Sequence, residues 1–72
     1  GEPRLSPDMK PLDGLVLAMK KELDAMQMYT QLASASSDPE QKRMFQELVK
    51  MERGHKNHLE DIYTDMAYPE VW

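Results

Sequence analysis

The stretch Phe45-Gln46-Glu47-Leu48-Val49-Lys50-Met51-Glu52-Arg53-Gly54-His55-Lys56-Asn57-His58-Leu59-Glu60-Asp61-Ile62 decides the fold and poses the functional question. Phe45, Leu48, Leu59 and Ile62, with Met66 beyond them, recur at the spacing of one helical face. Glu52 and His55 interrupt that apolar stripe at its centre as Glu-x-x-His. Ionised side chains on a buried face are costly unless something pairs with them, so either the face is solvated or a cation lies against it.

Reading backward from this stretch, Asp38-Pro39-Glu40 supplies an N-cap, a proline at the first helical position and an acid in the first turn. Nothing stops the helix before Pro69, so the second helix is predicted from about Pro39 to Met66. Ser34 to Asp38 is small and polar and reads as a short turn. Ahead of it, Leu12, Leu15, Met19, Met26, Tyr29 and Ala33 recur at helical spacing, with Val16 and Leu23 widening the stripe. Pro11 suits a first helical position, and the first helix is predicted from about Leu12 to Ala35. The opening ten residues, with Pro3 and Pro7 and few apolar side chains, read as an extended arm. The organisation is thus an N-terminal arm over 1–11, a helical hairpin over 12–66 and a C-terminal tail over 67–72. No Gly-rich phosphate loop, internal repeat or strand pair appears, and the pattern predicts an all-α fold, a two-helix antiparallel hairpin.

Helical geometry brings a third polar residue into play. Met19, Glu22, Met26 and Tyr29 share one face of the first helix, so Glu22 breaks the apolar stripe there as Glu52 does in the second. With Ser37 as the middle of the turn, Glu22 lies fifteen residues before it and Glu52 fifteen after it. In an antiparallel hairpin both then stand at one level, roughly 22 Å from the turn, and His55 can reach the same point from one turn along.

Composition narrows the function classes. At 72 residues the chain is one small domain, of a size at which a metal or a partner chain is usually recruited for stability, so self-association is expected. A net charge of −4 and the lack of a Lys/Arg-rich run give no electrostatic reason to bind nucleic acid or an anionic membrane. The longest apolar stretch, Leu15 to Met19, is too short to span a bilayer, and a soluble, cytoplasmic protein is the default expectation. There is no Cys, which excludes disulfides, iron–sulfur ligation by this chain and a thiol nucleophile.

One hairpin offers two carboxylates and one imidazole, half of what a dinuclear transition-metal site takes. A two-fold related copy brings a second Glu22, Glu52 and His55, and the four negative charges then balance two divalent cations. Oxygen and imidazole donors suit iron, manganese or zinc better than copper(I) or calcium, and iron is the first choice. Without a metal, carboxylates crowded into one core repel one another, and some are expected to take up a proton at neutral pH.

Glu22 followed seven residues later by Tyr29, then Glu52-Arg53-Gly54-His55 after a turn containing Asp38-Pro39-Glu40, resembles one half of the ferritin-like superfamily, closest to its rubrerythrin branch. Lys10-Pro11-Leu12-Asp13-Gly14-Leu15 and Tyr68-Pro69-Glu70-Val71-Trp72 carry the same likeness, so that it extends over about Lys10 to Trp72. Members usually hold two such halves in one chain, and this one resembles the second. It is either a natural half that dimerises, as in encapsulated ferritins, or a piece of a longer protein; the start on Gly1 fits a processed or partial chain.

The resemblance implies a homodimer or higher homo-oligomer forming a four-helix bundle with two iron ions per dimeric site, manganese or zinc being alternatives. It makes Glu22 a terminal ligand, Glu52 a carboxylate bridging both metals, His55 a terminal imidazole, and Tyr29 a hydrogen-bond donor that orients a ligating carboxylate. It implies oxidation of iron(II) or reduction of peroxide, with oxygen or peroxide as co-substrate. Two departures bear on this. Peroxide-reducing rubrerythrins carry a further carboxylate where Ala25 stands here, and the absence of Cys leaves no rubredoxin-like electron-transfer module, so a reductive cycle needs an external electron donor. The tail also lacks likeness to an encapsulin-docking segment.

Two other readings compete: a non-catalytic assembly module stabilised by zinc or manganese, and a metal-free interaction hairpin whose acids face solvent. His58 is expected to be exposed rather than a ligand. Asp24, Glu47, Glu60 and Asp61 read as a solvated face, and the Met residues as filling of a core or an interface. Tyr68, Val71 and Trp72 read as a tail that docks on a partner chain or stays disordered.

Overall fold

Three residues, Ser36 to Asp38, separate the two helices of the chain, and a connection this short leaves room only for an antiparallel hairpin. The structure is a computed structural model and describes residues 10–68. Helix α1 spans Pro11–Ala35 and helix α2 spans Pro39–Ala67, each within one residue of its predicted bounds. The described residues include no strand. The predicted arm lies mostly outside the described residues, as do Val71 and Trp72 of the predicted tail. Tyr68, which is described, is 76% exposed.

The ends of the helices follow from local chemistry. At the start of α2, Asp38 Oδ1 accepts a hydrogen bond from the Glu40 amide at 3.2 Å, the Lys42 amide donates to the Asp38 carbonyl, and Pro39 occupies the first turn. Helix α1 also begins on a proline, but its N-cap Lys10 contributes no side-chain bond, and Asp13 is the acid in its first turn. Its last turn is closed by Ser36, whose amide donates to the Ala33 carbonyl at 3.2 Å and whose hydroxyl donates to the Leu32 carbonyl at 2.7 Å. Two carbonyls that a helix terminus leaves without partners are thereby satisfied.

The seam between the helices is formed by the predicted stripes. Leu15, Met19, Met26 and Tyr29 of α1 and Phe45, Leu48, Leu59 and Ile62 of α2 are all half-buried, and the rings of Tyr29 and Phe45 stack with centroids 6.5 Å apart. Among the described residues only Ala33, close to the turn, is fully buried. A helix with a single neighbour can cover only part of its apolar arc, so Val16, Leu23, Met28, Leu32, Met44, Met51 and Met66 keep 40–51% of their surface in water. The methionines accordingly divide: Met19 and Met26 are half-buried, and four others stand exposed on this free apolar surface. No described helix is long and apolar enough to cross a membrane.

Gly54 lies mid-way along α2, exposed, and a Cβ added there meets nothing within 4 Å. The glycine therefore costs helix stability with no steric return inside the hairpin. Gly54→Ala is expected to stabilise the chain by about 0.5–1 kcal/mol, read as a raised midpoint in thermal melting followed by circular dichroism. A lowered midpoint would reveal a close contact on the outer face of α2.

Candidate metal centre

The antiparallel pairing places Glu22 of α1 opposite Glu52 of α2, and the i,i+3 spacing within α2 brings His55 to the same point. Each of the three residues offers one ligand-type atom, and those atoms all lie within 4.8 Å of one another. Two atoms bound to one ion at metal–ligand distances of about 2.0–2.2 Å stand at most roughly 4.4 Å apart. Small side-chain rotations therefore suffice to bring all three onto one cation. No other group of three or more metal-ligating side chains of this kind is found among the described residues.

The three groups differ in their contact with water, and the differences define the shape of the site. Glu22 is half-buried, and its Oε2 is a buried oxygen with no hydrogen-bond partner. Glu52 keeps 14% of its side chain exposed and His55 keeps 56%. His55 Nδ1 stands 3.6 Å from Glu52 Oε2, beyond hydrogen-bond length, so the imidazole approaches the carboxylate without being tied to it. The site is consequently closed toward the hairpin seam and open on the side where His55 projects. Its two carboxylates carry a formal charge of −2, with oxygen donors of the hard type and one imidazole of borderline character.

An orphaned buried carboxylate oxygen is expensive, and a bound cation removes the cost by supplying both a ligand bond and a countercharge. The donor set fits iron, manganese or zinc on the same grounds.

Tyr29 lies in the seam as predicted, stacked on Phe45, but its hydroxyl makes no hydrogen bond to Glu22 Oε2, since that atom has no partner. His58 is exposed and stands outside the cluster, as do Asp24, Glu47, Glu60 and Asp61. Glu47 pairs with Lys50 at 3.3 Å on the solvated face, a contact of little energetic weight at such exposure.

One residue near the centre escapes the apolar and acidic patterns altogether. The side chain of Lys56 is only 18% exposed, and its ammonium donates to Glu60 Oε1 at 2.7 Å. The available signal was its spacing of four residues from Glu52, which puts it on the same face of α2.

A helical hairpin with a carboxylate–imidazole cluster between its helices defines a class of all-helical protein with a candidate metal site. The sequence profile of the family described as Rubrerythrin matches residues 13–71, taking in nearly all of both helices and the three clustered residues. The chain belongs to the rubrerythrin family, a branch of the ferritin-like superfamily. Comparison with curated proteins and with solved structures returned no match.

Replacing Glu22 with Met keeps helix propensity and approximate volume while removing the orphaned oxygen. In the presence of a chelator, Glu22→Met is expected to stabilise the metal-free chain by about 1–3 kcal/mol, seen as a higher thermal midpoint. A fall in the midpoint would mean that the carboxylate makes a favourable interaction without metal.

Proposed function

We propose that the chain is a non-haem di-iron protein that oxidises iron(II) or reduces peroxide at a carboxylate-bridged dinuclear site shared between two copies. The observation that carries this reading is the cluster of Glu22, Glu52 and His55, with a buried and unpartnered Glu22 oxygen, in a chain of the rubrerythrin family. In this reading Glu22 and His55 are terminal ligands and Glu52 is the bridging carboxylate. Iron held by these residues would supply the two electrons that, with two protons, convert one hydrogen peroxide to two waters or begin the reduction of oxygen.

The chain's own residues have three tasks. Glu22 and Glu52 provide the negative charge that concentrates divalent cations at the seam. His55 provides a neutral nitrogen donor on the open side, where a co-substrate can approach. Tyr29 and Phe45 stack in the seam two turns from the carboxylates, on the turn side, and help to hold the two helices in register. These 72 residues hold no Cys for an iron–sulfur relay, so the electrons that regenerate the reduced metal would come from outside the hairpin.

A second copy is required by charge and by surface. Two carboxylates balance a single divalent ion, whereas four balance two. The free apolar surface, including Met44 and Met51 on the helix that carries His55, gives association a hydrophobic driving force. The resulting assembly is a ferritin-like four-helix bundle in which the two Glu52 side chains meet at the two-fold axis.

Ala25 favours one other reading. It occupies the position of the additional carboxylate of peroxide-reducing rubrerythrins, and a site poorer in oxygen donors suits a redox-silent zinc ion that only stabilises the assembly. Metal analysis separates the two. The di-iron reading expects about one iron per chain, or two per four-carboxylate site, in the dimer or a larger oligomer, with near-ultraviolet absorbance that appears on exposure to air. Stoichiometric zinc with no oxygen-dependent spectrum would establish the structural reading in its place. Glu52→Ala is expected to abolish iron uptake while helix content, read by circular dichroism, is retained; full iron occupancy in this variant would refute the ligand assignment.

A further inference from the structure

Lys56 stands four residues from Glu52 in one direction and four from Glu60 in the other, so its long side chain has a choice of two carboxylates one helical turn away. Along a helix the pair with Glu on the N-terminal side of Lys is intrinsically the better one, which favours Glu52. The structure has the opposite arrangement. Lys56 Nζ is 2.7 Å from Glu60 Oε1, and the group that approaches Glu52 is the His55 imidazole, at 3.6 Å.

The choice matters because of where Lys56 lies. At 18% exposure its side chain is far less open to solvent than that of Lys50, at 68%, and it shares with Glu52 the half-buried face of α2. An ammonium group in this position lies one helical turn from Glu52 and is able to compete for its charge. Turned toward Glu52, it would occupy one carboxylate of the cluster and halve the formal negative charge of the hairpin's contribution to the site. Turned toward Glu60, it leaves both carboxylates free. Glu60 is 51% exposed and contributes nothing to the cluster itself, and among the described residues its salt link is to Lys56.

We propose that Glu60 is a positioning residue for the metal centre: by holding the Lys56 ammonium away from Glu52, it keeps the site available to divalent cations. The inference rests on the site reading given above. It assigns a role to a residue otherwise indistinguishable from the solvated acids of α2, and it treats the Lys56–Glu60 pair as part of the site's charge balance rather than as a surface ion pair.

Cobalt(II), followed by its visible absorption in an anaerobic titration of the full chain, is the probe. Glu60→Gln keeps the shape of the side chain but removes its charge, and is expected to weaken cobalt(II) affinity by roughly tenfold, the low end of the range for residues that act through a metal ligand. Lys56→Gln in the same background removes the competitor and is expected to restore affinity to within about twofold of the Lys56→Gln single variant, since a residue that acts only through another loses its effect when that other is gone. A structural role for Glu60 in holding the helix would not be reversed by removing Lys56. Unchanged affinity in Glu60→Gln, or a loss that persists in the double variant, overturns the proposal. Failure of the wild-type chain to bind cobalt(II) overturns the site reading and the proposal with it.

Discussion

Two carboxylates facing each other across a seam only two helices wide set the terms for the rest of this molecule. Glu22 and Glu52 reach that seam because the three-residue turn fixes the register of α1 against α2, and because both interrupt stripes that are otherwise apolar. A hydrophobic pair at this level would be the simpler solution for a small protein. The acids instead leave a buried oxygen unpartnered, a local cost that a bound cation, a proton or another hydrogen-bond donor relieves. Fold and site are therefore in tension in the metal-free chain and in agreement once a cation is present.

The same tension explains how the surface is distributed. A hairpin of this length buries one alanine fully and leaves seven large apolar side chains of its helices substantially in water, which is little on which to found a stable domain. These exposed side chains leave the helices with apolar surface that a further packing partner would cover. His55 belongs to this picture. Its exposure is high for a residue in an apolar stripe, and it marks the open side of the cluster.

Much of this was legible in the residues. Asp38-Pro39-Glu40 announced the start of α2, and counting outward from Ser37 placed Glu22 and Glu52 level with each other, because an antiparallel hairpin with a short turn admits little freedom of register. The rubrerythrin likeness of Glu22, Tyr29 and the Glu-x-x-His pair pointed to the family that the profile match identifies. What the pattern did not convey was degree. Periodicity assigns a residue to a face but not to a depth, so it could not tell that the stripes would be half-buried rather than buried, or that Glu52 and His55, one turn apart, would differ so widely in exposure. The hydroxyl of Tyr29 and the ammonium of Lys56 were beyond it for another reason. Where a long or rotatable side chain puts its polar tip depends on a choice among rotamers and partners that helical spacing leaves open.

The turn from Ser36 to Asp38 acts, finally, as a ruler whose zero mark cannot move. Between Glu22 and Glu52 every residue counts toward the alignment of the two acids, since adding or losing one within a helix turns everything beyond it by about 100° and shifts it by about 1.5 Å. Evolution can exchange side chains within this span but can hardly change its length. Length variation among relatives that keep the centre should accordingly gather outside the interval from Glu22 to His55, at the far ends of the helices.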